Sequence, residues 1–477
     1  MEIDSQKQDK LSEQLATLPL KAAIALLREV QRDELRGGNN YPHTFVTKKL
    51  IENLVLQGVE PELLGQTWNL FCEPFEAFLV FHKTSHKNPG AIQHTSITVI
   101  WNWLLSELFQ DRLPDLEIEI IQAMKDDNSD HARTLMAEFH KEAGSRIWSE
   151  LSTVEEGSRA HIGFNSKFGT PGVFEDALEM AKVLQIAPAL LQLRNKVRKG
   201  LTLNQDEDVI HCCGLYKQFL RSAEEHVEYG MMMIARRLEK PYEVLKVVAQ
   251  HTGAETDVII LQDPASQSGS MVLCDLEDSI NEAIKLIAQY EDFPTVATKI
   301  KEFYTCVELF TSLVEISPRS LWGSKIIQIR NDLSSIIKQE IEQLPRLINV
   351  LRYKNKTSLT SSTMIDEEKG PNAYDVSQAL YIANLLAVSG RSLKQLSIND
   401  AFAKAKTEAD NFIEAVAEII VSALAKGDQS EKERALKYFQ PILELTKILQ
   451  GKEIASLLER RGDSAFRSQS MAKPETS

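Results

Sequence analysis

An all-α protein of irregular multi-helix bundles is what this sequence predicts, and three observations lead there. Apolar residues recur at intervals of three or four along most of the chain. Helix-starting and helix-stopping residues flank those periodic runs. Only two short β-branched runs, Val258–Leu261 and Met271–Cys274, compete with them; separated by "QDPASQSGS", they predict at most a minor two-strand element near 258–274.

The clearest stripe lies in Leu321–Tyr353, where Ile326, Ile329, Leu333, Ile337, Ile341, Leu344, Ile348 and Leu351 fall on one helical face. Pro345 interrupts it and predicts a kink or a junction of two helices, because proline removes a ladder bond and crowds the preceding turn. The same spacing predicts helix in Phe174–Lys199, Asp206–Lys240, Leu276–Tyr290, Val296–Val314, Val376–Val388, Ala401–Ala425 and Glu431–Leu449. At the amino end, Leu20, Ile24, Leu27 and Val30 form an apolar face. In the following "VQRDELRGGNNYPH", Gly37 and Gly38 are read as the helix stop, with Arg28, Glu29, Arg32, Asp33 and Arg36 pairing on the outer face.

Polar stretches divide the chain. Glu155–Gly172 and Ser358–Asn372 carry no apolar stripe, which predicts an amino-terminal helical domain over 1–160, a central long-helix domain over 170–357 and a carboxy-terminal bundle over 373–462. Residues 463–477 are polar and are expected to form a disordered tail. No glycine-rich phosphate loop follows a strand, and no fixed repeat recurs.

Charge and cysteine usage narrow the function classes. With 68 acidic against 54 basic side chains the net charge is −14, which opposes nonspecific attraction to nucleic acid or an anionic membrane. The amino terminus lacks the apolar run of a secretory signal, and no segment approaches the ~20 apolar residues of a membrane span. Five irregularly spaced cysteines are read as buried thiols in a reducing compartment, so a cytoplasmic location is expected.

The segments "LPLKAAIALLREVQRDELRGGNNYPH", "LFCEPFEAFLV" and "AIQHTSITVIWNWL" together resemble the amino-terminal part of an uncharacterised helical family of proteobacterial proteins. The likeness covers roughly residues 18 to 105. It implies a helical fold and a bacterial cytosolic origin. The family has no established activity, so no functional residue is carried over.

Chemistry-bearing residues cluster in four places. His82 and His86 stand one helical turn apart with His94 nearby, but no carboxylate completes a zinc motif and Lys83 and Lys87 crowd the place. Asp206, Glu207, Asp208, His211, Cys212 and Cys213, followed by Glu224, Glu225, His226 and Glu228, offer one carboxylate-x-x-His pair where a di-metal bundle needs two. His131, Glu138, His140 and Glu142 are read as a solvated face. Arg194, Lys196, Arg198, Lys199, Arg236, Arg237 and Lys240 end helices and are read as charges complementing the dipole.

The expectation is therefore a helical protein-interaction or regulatory module with a protein partner, without catalytic, cofactor or metal residues. Its candidate interaction surface comprises Trp101 and Trp103, which a helix points in different directions, and the basic segment Arg346, Arg352, Tyr353 and Lys354. A metal-assisted enzyme assembled around His211 is the first alternative, and a nucleic-acid-associated factor using the basic segment is the second.

Overall fold

The computed structural model describes residues 5–35, 40–80, 87–169, 172–354, 370–390, 396 and 398–467. It is all-α. The only paired strands among the described residues are β1 (Leu79–Val80) and β2 (Ile92–Gln93), which run parallel with Leu79 opposite Ile92. An isolated bridge joins Leu201 and Leu238. No described helix is long and apolar enough to cross a membrane.

Two compact units divide the chain, Met1–Val272 and Leu273–Ser477. In the first, α1 (Ser5–Ala16), α2 (Leu20–Leu35) and α3 (His43–Leu56) pack together, with α4 (Gln66–Cys72) beyond them. After β1 and β2 come α5 (His94–Trp103), α6 (Arg112–Lys125), α7 (Ser129–Leu151), α8 (Arg159–Phe168), α9 (Val173–Gln185) and α10 (Ala187–Lys196). Helices α11 (Asp206–Phe219), α12 (Glu228–Arg237), α13 (Val244–Thr252) and α14 (Asp257–Ile260) follow. The unit boundary falls within α15 (Ser266–Gln289). The second unit holds α16 (Phe293–Leu313), α17 (Leu321–Leu347), α18 (Ala373–Ser389), α19 (Asn399–Lys426), α20 (Gln429–Leu449) and α21 (Lys452–Arg467).

Sequence spacing explains the long helices. All eight residues of the stripe from Ile326 to Leu351 are buried, each worth about 1.5–3 kcal/mol of transfer free energy before ordering entropy is subtracted. The helix continues through Pro345 and ends at Leu347, passing into a 3-10 turn over Ile348–Leu351. Proline is tolerated because the bond it removes falls in the last turns, where the ladder is already tightening.

Local signals misled in several places. Val258–Ile260 and Met271–Cys274 are helical, not strand: α14 contains the first, with Leu261 capping it, and α15 contains the second. Ser266, Ser268 and Ser270 are buried together with Met271, Val272 and Leu273, so the start of α15 is enclosed on more than one face and its small residues imitate a loop. The continuous helix expected over Asp206–Lys240 stops at Phe219 and resumes at Glu228, with His226 at a positive φ of 53° between them. Glu224 and Glu225 therefore do not extend the face of His211. The polar stretch read as a linker contains α8, whose first turn is capped by Ser158 accepting from the His161 amide, and it lies inside the first unit. Thr170 and Pro171, the helix stop at Gly37 and Gly38, and most of Ser358–Asn372 lie outside the described residues.

The opening "VQRDELRGGNNYPH" stretch is more than a helix end. Asp33 is buried and accepts hydrogen bonds from the backbone amide and side chain of Asn40 (3.0 and 2.6 Å), with His43 Nε2 at 2.8 Å. The bond from His43 pulls the Asp33 carboxyl below its usual range, against a smaller opposing effect of burial. Arg28 reaches the buried Glu117 on α6 and the Leu64 carbonyl. These charges tie α2 to its neighbours instead of decorating an outer face.

Helices α7 and α9 come close at Gly144, where a Cβ would stand 2.8 Å from the Ala181 carbonyl oxygen and 2.9 Å from the Gln185 nitrogen. Both obstacles are backbone. Gly144→Val is expected to lower stability by at least the ~1–3 kcal/mol typical of overpacking, read as a fall in the urea midpoint without a change in slope.

Candidate docking groove

In the second unit, α17 packs on α18 and α19, α20 packs on α18 and α19, and α21 packs on α19 and α20. Where α17 passes into its final 3-10 turn, it leaves a groove of about 650 Å³ against α19. Its floor is buried and apolar: Ile348, Phe412 and Val416, closed by the ring of Tyr353. Pro345, Ala415 and Ile419 form the sides, and Asn349, Arg352, Lys354, Glu408 and Asn411 complete the lining. Helical spacing places Glu408, Asn411, Ala415 and Ile419 along one edge of α19.

Tyr353 is fixed from α20. Arg434 is 6% exposed; its Nη2 donates to the Tyr353 hydroxyl at 3.1 Å and to the Lys354 carbonyl at 3.0 Å. The guanidinium also lies 4.9 Å from the Tyr353 ring centre, and Tyr438 packs edge-on at 5.6 Å. A ring fixed by two neighbours on α20 gives the groove a preformed floor. Arg352 is different. It is exposed, its guanidinium stands 5.8 Å from the Phe412 ring, and no described carboxylate pairs with it.

Of the residues singled out in the sequence, Arg352, Tyr353 and Lys354 come together here, while Arg346 is exposed on the last turn of α17 and does not line the groove. Trp101 is half-buried against Trp68 (5.5 Å) and Phe71 (4.6 Å). Trp103 is buried against Phe168 (5.4 Å) and Phe164 (5.9 Å), with the Lys167 ammonium 5.5 Å from its ring. The two indoles thus have separate neighbours within the first unit. Phe412, Val416 and Arg434 were not singled out in the sequence. Arg434 alone left a signal, a cation one residue before Ala435 on the buried side of α20.

The other clusters resolve differently. His211 is exposed, Asp208 accepts from the Gln205 amide in a capping box, and Cys212 and Cys213 turn into the core. His140 is 1% exposed, not on a solvated face. Arg194 donates to the Glu73 carbonyl and pairs with Glu73 and Glu76 at 3.6 and 3.3 Å, and Arg237 Nε donates to the Val197 carbonyl. His82 and His86 lie outside the described residues. Among those that are described, no group of three or more His, Cys, Asp or Glu side chains stands together as metal ligands would. Burial pushes the Cys72 and Cys306 thiols up to about 12 and those of Cys212 and Cys274 up to about 11, so they stay protonated near neutrality.

Comparison of the chain with protein families, curated proteins and solved structures returned no match. The groove is therefore read from its own chemistry.

Proposed function

We propose that this protein is a non-catalytic interaction module, acting in the cytoplasm, that docks a protein partner in the α17–α19 groove. The observation that carries the reading is the combination of a preformed apolar floor with an exposed Arg352 at its rim that pairs with no described carboxylate. Preformed apolar concavities with a few oriented polar groups are where proteins take ligands, because little ordering entropy remains to be lost on binding. The acidic total and Glu408 in the lining weigh against a polyanion as the occupant. All five cysteines are free thiols, which supports a reducing compartment.

The test is a photo-crosslinking amino acid at Asn411, in the groove lining, in the full chain expressed in its native cell. A discrete adduct is expected there, absent from the same probe at Leu56 in the first unit and lost when Ala415→Arg fills the groove. Both Asn411 and Ala415 are exposed, so neither change disturbs the core. Equal adducts from both probe positions, no adduct at all, or adducts indifferent to Ala415→Arg would refute the reading.

A further inference from the structure

The groove's dimensions and hydrogen-bonding character specify its occupant more closely, on the assumption that it is a docking site at all. We infer that it takes an amphipathic α-helix of a partner protein, apolar face down, with a carboxylate beside the apolar face that pairs with Arg352.

Length is the first argument. From Glu408 to Ile419 the α19 edge runs about 16 Å, which matches roughly three turns of helix. Backbone chemistry is the second. The walls are helices whose main-chain groups are largely bonded within themselves, and no strand edge exists among the described residues of this unit. An extended peptide would bury its own amides against apolar side chains without partners, whereas a helix brings its backbone bonds with it. Charge is the third. Arg352 offers a planar fork of donors 5.8 Å from the Phe412 ring, which favours a carboxylate over a point cation or a neutral group.

The apolar surface also continues past the groove. Ile419 is 38% exposed, and on α21 Ile454 and Leu457 are 47% and 58% exposed. They share a helical face with Arg461, whose Nη2 bonds Glu418 on α19 at 2.6 Å, so this face borders the same edge of α19. Exposed large apolar residues on two adjoining helices give a longer helix a second, shallower contact.

The experiment uses the full chain and a fluorescein-labelled, capped peptide of ~14 residues, with leucines at i, i+4, i+7 and i+11 and glutamates flanking them. A second peptide has lysine in place of every glutamate. Saturable binding of the acidic peptide by fluorescence anisotropy is expected, abolished by Ala415→Arg and weakened about tenfold by Arg352→Glu. The lysine peptide should bind the Arg352→Glu protein better than the unaltered one. Equal binding of both peptides to the unaltered protein, binding that survives Ala415→Arg, or no peptide binding defeats the inference. So does concentration-dependent doubling of mass that Ala415→Arg removes, since the occupant would then be a second copy. An Asn411 adduct that Ala415→Arg abolishes, together with failure of both peptides, would leave the docking function standing and refute only the helical occupant.

Discussion

Asp176→Ala is expected to destabilise the first unit by about 3–5 kcal/mol, the range for removing one partner of a buried, hydrogen-bonded charge. Its carboxylate is 2% exposed and accepts from the Lys87 ammonium, the Gln93 amide (3.1 Å) and the Ser96 hydroxyl. Those donors come from the segment before β2, from β2 itself and from the first turn of α5, so one side chain on α9 holds three consecutive pieces of chain. Alanine would leave the Gln93 N–H and the Ser96 hydroxyl without their acceptor inside the fold and the Lys87 ammonium without its counter-charge. Asp176→Asn keeps an acceptor and should recover part of the loss. Four of the five tryptophans, Trp68, Trp101, Trp103 and Trp148, belong to this unit, so urea unfolding followed by tryptophan fluorescence reports mainly on it. A midpoint shift corresponding to less than about 1 kcal/mol would mean that water replaces the lost acceptor.

The second large effect is a pH dependence at His140. Burial lowers its pKa from the ordinary value to about 4, with hydrogen bonding to the Phe71 and Leu70 carbonyls offsetting only part of that. Nε2 donates to the Phe71 carbonyl at 3.2 Å, and buried Nδ1 has no hydrogen-bond partner among the described residues. The folded protein therefore holds a neutral imidazole. Between the ordinary pKa and about pH 4 the unfolded chain binds a proton that the folded chain refuses, so this stabilisation is complete above about pH 6.5 and drains away as pH falls. The loss amounts to about 3 kcal/mol and levels off below about pH 4. His140→Gln, a neutral reference, removes the proton site. The measurement is the difference in urea stability between the two proteins at about pH 7.5 and about pH 4. Parallel pH profiles would show that His140 is hydrated or charged in the fold.

His140 also shows what one-dimensional reading leaves out. On α7 the buried positions Ala132, Met136, Phe139, His140, Ala143, Gly144, Ile147 and Leu151 sweep an arc wide enough to include the histidine beside Phe139. Reading His140 with Glu138 and Glu142 as one solvated face overlooked that it stands one helical turn after Met136, on the side opposite those glutamates. The α17 stripe was legible in full because one narrow face alternates with charge. For the groove, the sequence held its basic lip at Arg352, Tyr353 and Lys354, since the three are consecutive. It could not hold the floor, because Phe412 and Val416 arrive from α19 and Arg434 from α20, and only tertiary packing decides which helix closes over the end of α17. The second of the strands read into 258–274 failed for a related reason, burial at the start of α15 overriding β propensity.

That start of α15 has a consequence for how the chain tolerates change. Ser268 is fully enclosed, its hydroxyl donating to the Ala265 carbonyl at 2.7 Å, and Ser266 is 1% exposed. A residue of greater volume has nowhere to go at either position, while alanine fits. In a saturation mutagenesis scan this serine-rich stretch, which composition alone would rank among the most permissive, should instead accept only glycine, alanine and serine. The exposed Gln267 between them should accept almost any residue except proline, so a single permissive column would stand between two forbidding ones.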